Sequence, residues 1–84
     1  MLKILFFARI REELSCSGLE LQWSDSRLDL YSLQEKLCVE YGESWRNVLT
    51  QENMIRAVNQ QVVTDNCELN DGDEIAFFPP VTGG

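Results

Sequence analysis

The chain of 84 residues contains no histidine, and only seven lysines and arginines stand against fourteen aspartates and glutamates. Without histidine, the side chain that most often binds metals and acts as a general base near neutral pH is missing. The net charge of −7 argues against a nucleic-acid partner, because phosphates are neutralised by basic surface. The acidic balance favours a partner with basic patches, although the same charge also keeps a small protein soluble. We predict no metal site.

Cysteine is scarce and scattered. Cys16, Cys38 and Cys67 are odd in number and include no CxxC pair, so neither a zinc site nor a redox pair is indicated. Three dispersed cysteines also exclude an iron–sulfur carrier of the ferredoxin type, which needs four ligands in a tight arrangement. Reduced thiols are typical of a cytoplasmic protein, although two of the three could still pair in space.

Long apolar runs are absent as well. A membrane-spanning helix needs roughly 18 apolar residues, and no run approaches that length. The apolar start over residues 2–8 is interrupted by Lys3 and lacks a small-residue cleavage site, so it does not resemble a signal peptide. We therefore expect a cytoplasmic protein without membrane association, built as one small domain.

The first third of the chain alternates between apolar and polar residues. This alternation predicts a strand over residues 2–10 and, after a turn over residues 15–18, a second strand over residues 19–23 that pairs with the first as a hairpin. Leu5 and Phe7 lie among basic residues on the face opposite the core, which is unusual for a purely solvated face. The core-facing set is Leu2, Ile4, Phe6, Ala8 and Ile10.

The middle of the chain changes to helical spacing. Asp29 is a plausible N-cap, and Gly42 is the expected C-cap of the helix that follows. Residues 43–49 predict a short second helix that buries Trp45, Val48 and Leu49. The apolar stripe of the main helix consists of Leu30, Leu33, Leu37 and Tyr41.

The last third returns to strands and turns. Strands are predicted over residues 54–58, 61–64 and 74–78, with turns over residues 59–60 and 70–73. In the last strand Ile75 and Phe77 share one face, and Ala76 and Phe78 share the other. Pro79 and Pro80 lack N–H groups and bias the residues before them towards extended geometry, so they should end the strand without folding the chain back.

The order strand, strand, helix and further strands predicts an α+β fold, the β-grasp or ubiquitin-like mixed sheet with one main helix across one face. Residues 1–78 would form this domain, and residues 79–84 an extended C-terminal reactive tail. The other face of the sheet would expose Leu5, Phe7 and Phe78, with Val62 chosen over Val63 on parity alone. Such apolar patches usually mark an interaction site, although scattered exposed apolar residues are also normal.

The chain ends in Gly83 and Gly84. Two residues without Cβ atoms make a thin, flexible rod, so the terminal carboxylate could enter a narrow channel in another protein. A frayed terminus is the ordinary alternative. The hydrophobic, proline-stiffened stretch before the glycines favours the first interpretation, in which the Gly84 carboxylate is the reactive group.

Four segments together resemble the small subunit of molybdopterin synthase. They are KILFFAR with the following RE (residues 3–12), AVNQ (57–60), LNDGDEIA (69–76) and FFPPVTGG (77–84), of which the last is the most specific. Residues 19–53 match mainly by the order of elements, and Trp23 and Cys38 in that stretch are not required by the family.

The resemblance implies a sulfur carrier. In that family an activating enzyme uses ATP to adenylate the terminal glycine, and sulfur then replaces an oxygen to give a thiocarboxylate. Sulfur passes to cyclic pyranopterin monophosphate and builds the dithiolene of molybdopterin. Catalytic side chains are expected on the large subunit, so the absence here of a Ser/His or Cys/His pair is no objection. No cofactor is expected to be bound by this chain.

The same resemblance implies partners and contact residues. The large subunit dimerises with one small subunit at each end, which gives a heterotetramer, and the activating enzyme is of the ubiquitin-activating type. Gly83 and Gly84 would be the reactive end. The partner contacts would be Phe7, Arg11, Val62, Phe78, Pro79, Pro80, Val81 and Thr82.

Three other functions fit parts of the sequence. A sulfur carrier for thiamin thiazole synthesis shares the fold and the glycine pair but not the FFPPVT run. A ubiquitin-like protein modifier would join Gly84 to lysine amines. A plain binding module would dock a partner on its sheet and carry an inert tail. The acceptor of what Gly84 carries distinguishes among them.

Overall fold

The computed structural model describes residues 1–23 and 27–80. In these residues five strands form a mixed sheet in the order β2-β1-β7-β4-β5, and two short strands, β3 and β6, pair separately. Strands β1 and β7 run parallel, and the other pairs are antiparallel. This is the predicted β-grasp arrangement. The elements are β1 (Leu2–Phe6), α1 (Ala8–Leu14), β2 (Gly18–Leu21), β3 (Leu28–Asp29), α2 (Leu30–Tyr41), α3 (Glu43–Leu49), β4 (Ile55–Val58), β5 (Gln61–Val63), β6 (Glu68–Leu69) and β7 (Glu74–Phe78).

The hydrophobic core lies between one face of the sheet and the helices. The ring of Phe6 in β1 meets the ring of Trp45 in α3 edge to face, with 5.3 Å between centroids. The same ring stacks against Phe77 of β7 at 5.8 Å. The central strands are therefore joined to the helical layer through aromatic contacts. Side chains with no measurable exposure are Ile4, Ile10, Leu33, Leu49, Ile75 and Phe77.

Both predicted caps of the main helix are confirmed. The Asp29 carboxylate accepts a hydrogen bond from the Ser32 N–H at 2.7 Å, which satisfies a donor left free by the first turn. This bond lowers the pKa of Asp29. At the other end Gly42 has φ +96°, and its N–H donates to the Cys38 carbonyl at 2.9 Å.

Replacing Asp29 by Ala is expected to destabilise the protein in a pH-dependent way. Because the pKa of Asp29 is lower in the folded chain than in the unfolded chain, its contribution is complete above the unfolded pKa and is lost as the pH falls through the folded pKa. The difference in unfolding free energy between wild type and Asp29→Ala should therefore shrink on acidification. Urea unfolding across acidic pH measures it. Asp29→Asn, a neutral cap, should show a smaller loss at pH 7.

The predicted first strand is wrong in its last part. β1 ends at Phe6, and Ala8 with φ +52° turns the chain into α1. Ile10 and Leu14 are spaced four residues apart and bury the inner side of this helix. The apolar residues Ala8 and Ile10 happen to continue the alternation of residues 2–6. This coincidence concealed the helical spacing of Ile10 and Leu14. β1 and β2 do pair antiparallel, and α1 lies in their connection, directly before residues 15–18, where a turn was predicted.

Two smaller predictions also differ from the structure. The second strand stops at Leu21, and Trp23 lies beyond it, half-buried against the core. The two-residue strands β3 and β6 were not predicted, because each spans a single repeat of the alternation, which is too short to form a pattern. Their pairing places Leu28 opposite Leu69 beneath the N-terminus of α2.

The turn between β4 and β5 contains a strained residue. Asn59 and Gln60 both have positive φ, +52° and +70°, the pattern of a two-residue type I′ turn. Gln60→Gly should stabilise the protein by about 0.5 kcal/mol, because relief of the left-handed conformation exceeds the entropy that glycine adds to the unfolded chain. Gln61→Gly, one residue later in β5, should destabilise it. Thermal melts of the two variants test this, and equal shifts of both would contradict the turn assignment.

Candidate functional site

The site is organised around β7, the central strand of the sheet, which delivers the chain to Pro79. β1 flanks it on one side and β4 on the other. β1 gives way to α1 after Phe6, and β4 begins at Ile55, the residue paired with Phe78. The chain therefore leaves the sheet where its flanking strands also end, and Pro79 and Pro80 carry no N–H to extend the ladder.

The face of the sheet turned away from the core is here called the open face. Register places Leu5 beside Ala76, Ala76 beside Ala57, and Ala57 beside Val62. Val62 is 63% exposed, whereas Val63 packs against the core. The parity that selected Val62 over Val63 is thus confirmed. An apolar row crosses the open face from β1 to β5.

Phe7 and Phe78 form an aromatic pair at the end of the open face nearest Pro79. Their ring centroids are 5.9 Å apart and their planes meet at 65°. Phe7 remains 43% exposed and Phe78 is half-buried. The Phe7 N–H donates to the Phe77 carbonyl at 3.1 Å, which fixes the backbone of this pair. The prediction that Phe78 lies opposite Phe77 and outside the core is confirmed.

Some of the remaining predicted site residues lie in the described part of the chain, and the others lie outside it. Arg11, which directly follows the predicted first strand, is exposed on α1, and its N–H donates to the Phe7 carbonyl, so it follows Phe7 by one helical turn. Pro79 and Pro80 are half-buried. Val81, Thr82, Gly83 and Gly84, including the predicted reactive end, lie outside the described residues.

A half-buried cation supports β7 from the core side. The Arg56 guanidinium lies 6.0 Å from the centre of the Phe77 ring and donates to the Gln34 side chain at 2.6 Å. It also donates to the Leu49 carbonyl at 3.3 Å, at the end of α3. Burial lowers the pKa of Arg56, yet arginine stays charged near neutral pH. These contacts tie β4 and β7 to two helices and stiffen the strand beneath the open face.

The open face is polarised along the strands. At the end far from Pro79, Lys3 is paired in register with Glu20 on one side and Glu74 on the other. Two residues further along β1 the row is apolar, about 7 Å away. The apolar end of the open face therefore lies beside the point where the chain leaves the sheet.

Three residues of the open face were missed by the sequence analysis. Ile55, Ala57 and Ala76 form its floor beside Phe78 and Val62. Ala76 was placed on the face of Phe78 but was given no role, and the faces of the strand over residues 54–58 were not assigned. The predicted two-residue turn over residues 59–60 was the signal that could have assigned these faces, because such a turn pairs residue 57 with residue 62.

Two classes of site are not found in the described part of the chain. Residues 1–23 and 27–80 contain no group of three or more histidine, cysteine or acidic side chains placed to hold a metal ion. In the same residues no helix combines the length and the apolar character needed to cross a bilayer.

The sequence matches the model of the ThiS family over residues 4–84. The chain belongs to the ThiS family. Among curated members, the molybdopterin synthase sulfur carrier subunit of Escherichia coli strain K12 is 37% identical over 84 residues, which cover the whole of both chains. This ThiS-family match includes the final glycine pair as well as the strands of the open face.

Solved structures related to this ThiS-family chain agree in fold. Subunits 1 and 2 of the molybdopterin-converting factor from Helicobacter pylori 26695 were solved as a complex, and one of its chains aligns with a TM-score of 0.65, 25% identity and coverage of 99% of this chain and 97% of that one. The small archaeal modifier protein 1 of Methanosarcina acetivorans aligns with a TM-score of 0.75 at 22% identity, covering 99% and 95%. The latter likeness concerns the fold alone.

Proposed function

We propose that this chain is the sulfur-carrier subunit of a molybdopterin synthase and that the Gly84 carboxylate carries the sulfur. The observation that carries the proposal is the full-length match, at 37% identity, to the sulfur carrier subunit of Escherichia coli. The open face supports it, because its apolar end borders the exit of the chain from β7 and would seat a partner that receives the tail.

The chemistry needs no side chain from this protein. A carboxylate is a poor electrophile, because its negative charge repels a nucleophile. Transfer of AMP from ATP to the Gly84 carboxylate releases pyrophosphate and creates a good leaving group. A sulfur donor then displaces AMP and leaves a thiocarboxylate. In the proposed reaction the thiocarboxylate sulfur replaces an oxygen substituent on cyclic pyranopterin monophosphate, and water then cleaves the acyl–sulfur bond, which regenerates the Gly84 carboxylate. Two such transfers, from two charged carriers, supply the two sulfurs of the dithiolene.

Two partners follow from this proposal. The activating enzyme of the ubiquitin-activating type binds ATP and adenylates Gly84, and the large synthase subunit receives the charged tail in a heterotetramer with one carrier at each end. Phe7, Val62 and Phe78 form the shared contact surface, with Arg11 beside it. The acidic carrier would be attracted by basic surface on either partner. We place the reaction in the cytoplasm, where the three thiols stay reduced.

Reconstitution with purified components tests the function. The chain is incubated with activating enzyme, ATP, a sulfur donor, the large subunit and cyclic pyranopterin monophosphate, and the pterin product is analysed by mass spectrometry. Appearance of the dithiolene supports the proposal. Sulfur found only in a thiazole, or Gly84 joined to lysine by an isopeptide bond, would assign the chain to one of the two other ThiS-like functions.

Replacement of all three cysteines by alanine is expected to leave the Gly84 product unchanged. Cys38 is buried in the core, and burial raises the pKa of its thiol, which keeps it protonated and unreactive. The Cys16 thiol donates to the Gly18 carbonyl at 3.4 Å. The triple variant should lose about 1 kcal/mol or somewhat more of stability through the cavity at Cys38. A folded variant that no longer accepts sulfur would place a thiol in the mechanism.

A further inference from the structure

A notch of about 230 Å³ opens on the β1–β2 side of the open face. Lys3 and Leu5 line it from β1, and Gly18 and Glu20 line it from β2. It lies on the opposite side of β1 from β7, β4 and β5, which carry Phe78 and Val62. The notch is therefore a second feature of the open face, separate from the aromatic pair.

The notch exists because residue 18 has no side chain. A Cβ atom built on Gly18 would lie 2.7 Å from the Ile4 carbonyl oxygen and 3.1 Å from the Leu5 Cδ2 atom. The first distance is too short for any real contact with backbone, so no larger residue fits without moving β1 or β2. With Gly18 in place, the floor of the notch is strand backbone, and another chain can approach it closely.

The notch borders a free sheet edge. β2 is the terminal strand of the five-stranded order, and within residues 1–23 and 27–80 no strand pairs with its other side. The Phe6 N–H donates to the Ser17 carbonyl at 3.0 Å, so residues 17, 19 and 21 bond to β1. In an antiparallel pair the alternate residues point their N–H and C=O groups outwards. Gly18 and Glu20 therefore present their N–H groups at the edge, while the Gly18 carbonyl already accepts from the Cys16 thiol.

The notch is lined by one charge of each sign, Lys3 on β1 and Glu20 on β2. Glu74 is also paired in register with Lys3, but it belongs to β7 and does not line the notch. Glu20 is exposed at the outer strand, next to the free edge, whereas Glu74 lies on the inner side of Lys3. A cationic group that entered the notch along β2 would reach Glu20 first and would be attracted there.

We propose that an extended segment of the tail-accepting subunit pairs with β2 as a sixth strand and inserts a long side chain with a cationic tip, lysine or arginine, into this notch. The inference rests on the proposed function, because the same partner holds the tail and reaches across the open face. Main-chain bonds along an edge strand supply affinity, and a pocket for one side chain supplies specificity. The apolar wall from Leu5 suits the stem of that side chain, and Glu20 suits its tip.

Charge reversal at the notch tests the proposal in the complete chain. Glu20→Lys should weaken binding to the purified large subunit about tenfold or more, because two cations then meet. Glu40→Lys on α2 is exposed and changes the net charge equally, so its affinity should stay near that of wild type. Lys3→Gln should bind as tightly as wild type or more tightly. Calorimetry measures the affinities, and thermal melts verify that each variant is folded.

Amide hydrogen exchange gives an independent readout of strand pairing. In the complex, the Gly18 and Glu20 amides should become protected, because the incoming strand takes up their outward groups. Equal affinities of the Glu20→Lys and Glu40→Lys variants, or unprotected amides in a tight complex, would overturn the notch proposal and leave the sulfur-carrier function standing. A chain that does not bind the large subunit at all would overturn both.

Discussion

Deleting Gly84 is expected to abolish sulfur transfer while leaving the thermal unfolding midpoint almost unchanged. Every core residue in the described part of the chain lies at or before Phe77, so the deletion removes no side chain from the core. The new terminus still carries one carboxylate, but it ends about 3.5 Å short of the original position. Misplacement of a reacting group by about 1 Å can cost roughly 100-fold in rate, so transfer should fall by at least that factor.

The matched control keeps the length and changes the width of the tail. Gly83→Ala retains Gly84 as the terminus and adds one methyl group. The Gly83→Ala variant should still be adenylated. Its sulfur transfer should be slower than that of wild type only if the partner's channel is too narrow for a Cβ atom. Single-turnover assays with the large subunit measure both variants, and thermal melts measure their stability. A truncated chain that supports pterin sulfuration at the wild-type rate would refute the role of Gly84.

Phe77→Ala and Phe78→Ala are expected to impair different properties although the two residues are neighbours: the first should lower stability, and the second should weaken binding. Phe77 has no measurable exposure and stacks on Phe6, so its truncation should cost about 3–5 kcal/mol of stability. In a domain of this size that lowers the midpoint by at least about 12 °C. Phe78 contacts Phe7 on the open face, and loss of that pair should cost about 1 kcal/mol.

The effect of Phe78→Ala should appear in binding. Truncation of an aromatic anchor buried at an interface costs roughly 2 kcal/mol or more of binding free energy. This loss corresponds to a complex with the large subunit that is about 30-fold weaker. Calorimetry on the folded fraction separates this loss from stability. If the melting midpoint of Phe78→Ala falls as far as that of Phe77→Ala while binding is unchanged, Phe78 belongs to the core and the assignment of faces to β7 is incorrect.

The parts of the fold that could be predicted are those with long, regular patterns. The helix from Leu30 to Tyr41 has a carboxylate cap and a terminal glycine, as predicted. Three members of its predicted apolar stripe, Leu30, Leu33 and Leu37, are buried, whereas Tyr41 in the last turn remains 45% exposed. The last strand is a short apolar run from Ile75 to Phe78, and it is bracketed by a glycine turn and by Pro79. Where local signals agree in this way, tertiary contacts have little to override.

The parts that could not be predicted depend on contacts distant in sequence. Helix α1 has only seven residues and no side chain capping its first turn, and Phe7 and Ala8 turn the chain there. The helix is stabilised by packing against α3 and β7, and these contacts cannot be inferred from the local sequence. The strands β3 and β6 likewise depend on pairing with each other, although about 40 residues of chain separate them.

The candidate site, like the fold, could be predicted only in part. Alternation placed Leu5 and Phe78 on the open face, because each lies within a regular strand. The notch at Gly18 was invisible, because its shape depends on the register between β1 and β2 and on where the Leu5 side chain lies. The helical position of Arg11 was not predicted, because the start of α1 was missed.

The most direct test of the account is to measure the mass that the chain gains and to identify the residue that carries the sulfur. The chain is incubated with the activating enzyme, ATP and a sulfur donor, and the intact protein and its C-terminal peptide are analysed by mass spectrometry. The account predicts a gain equal to the mass difference between sulfur and oxygen, confined to Gly84 and independent of Cys16, Cys38 and Cys67. Sulfur found on a cysteine-containing peptide, with Gly84 unchanged, would contradict it.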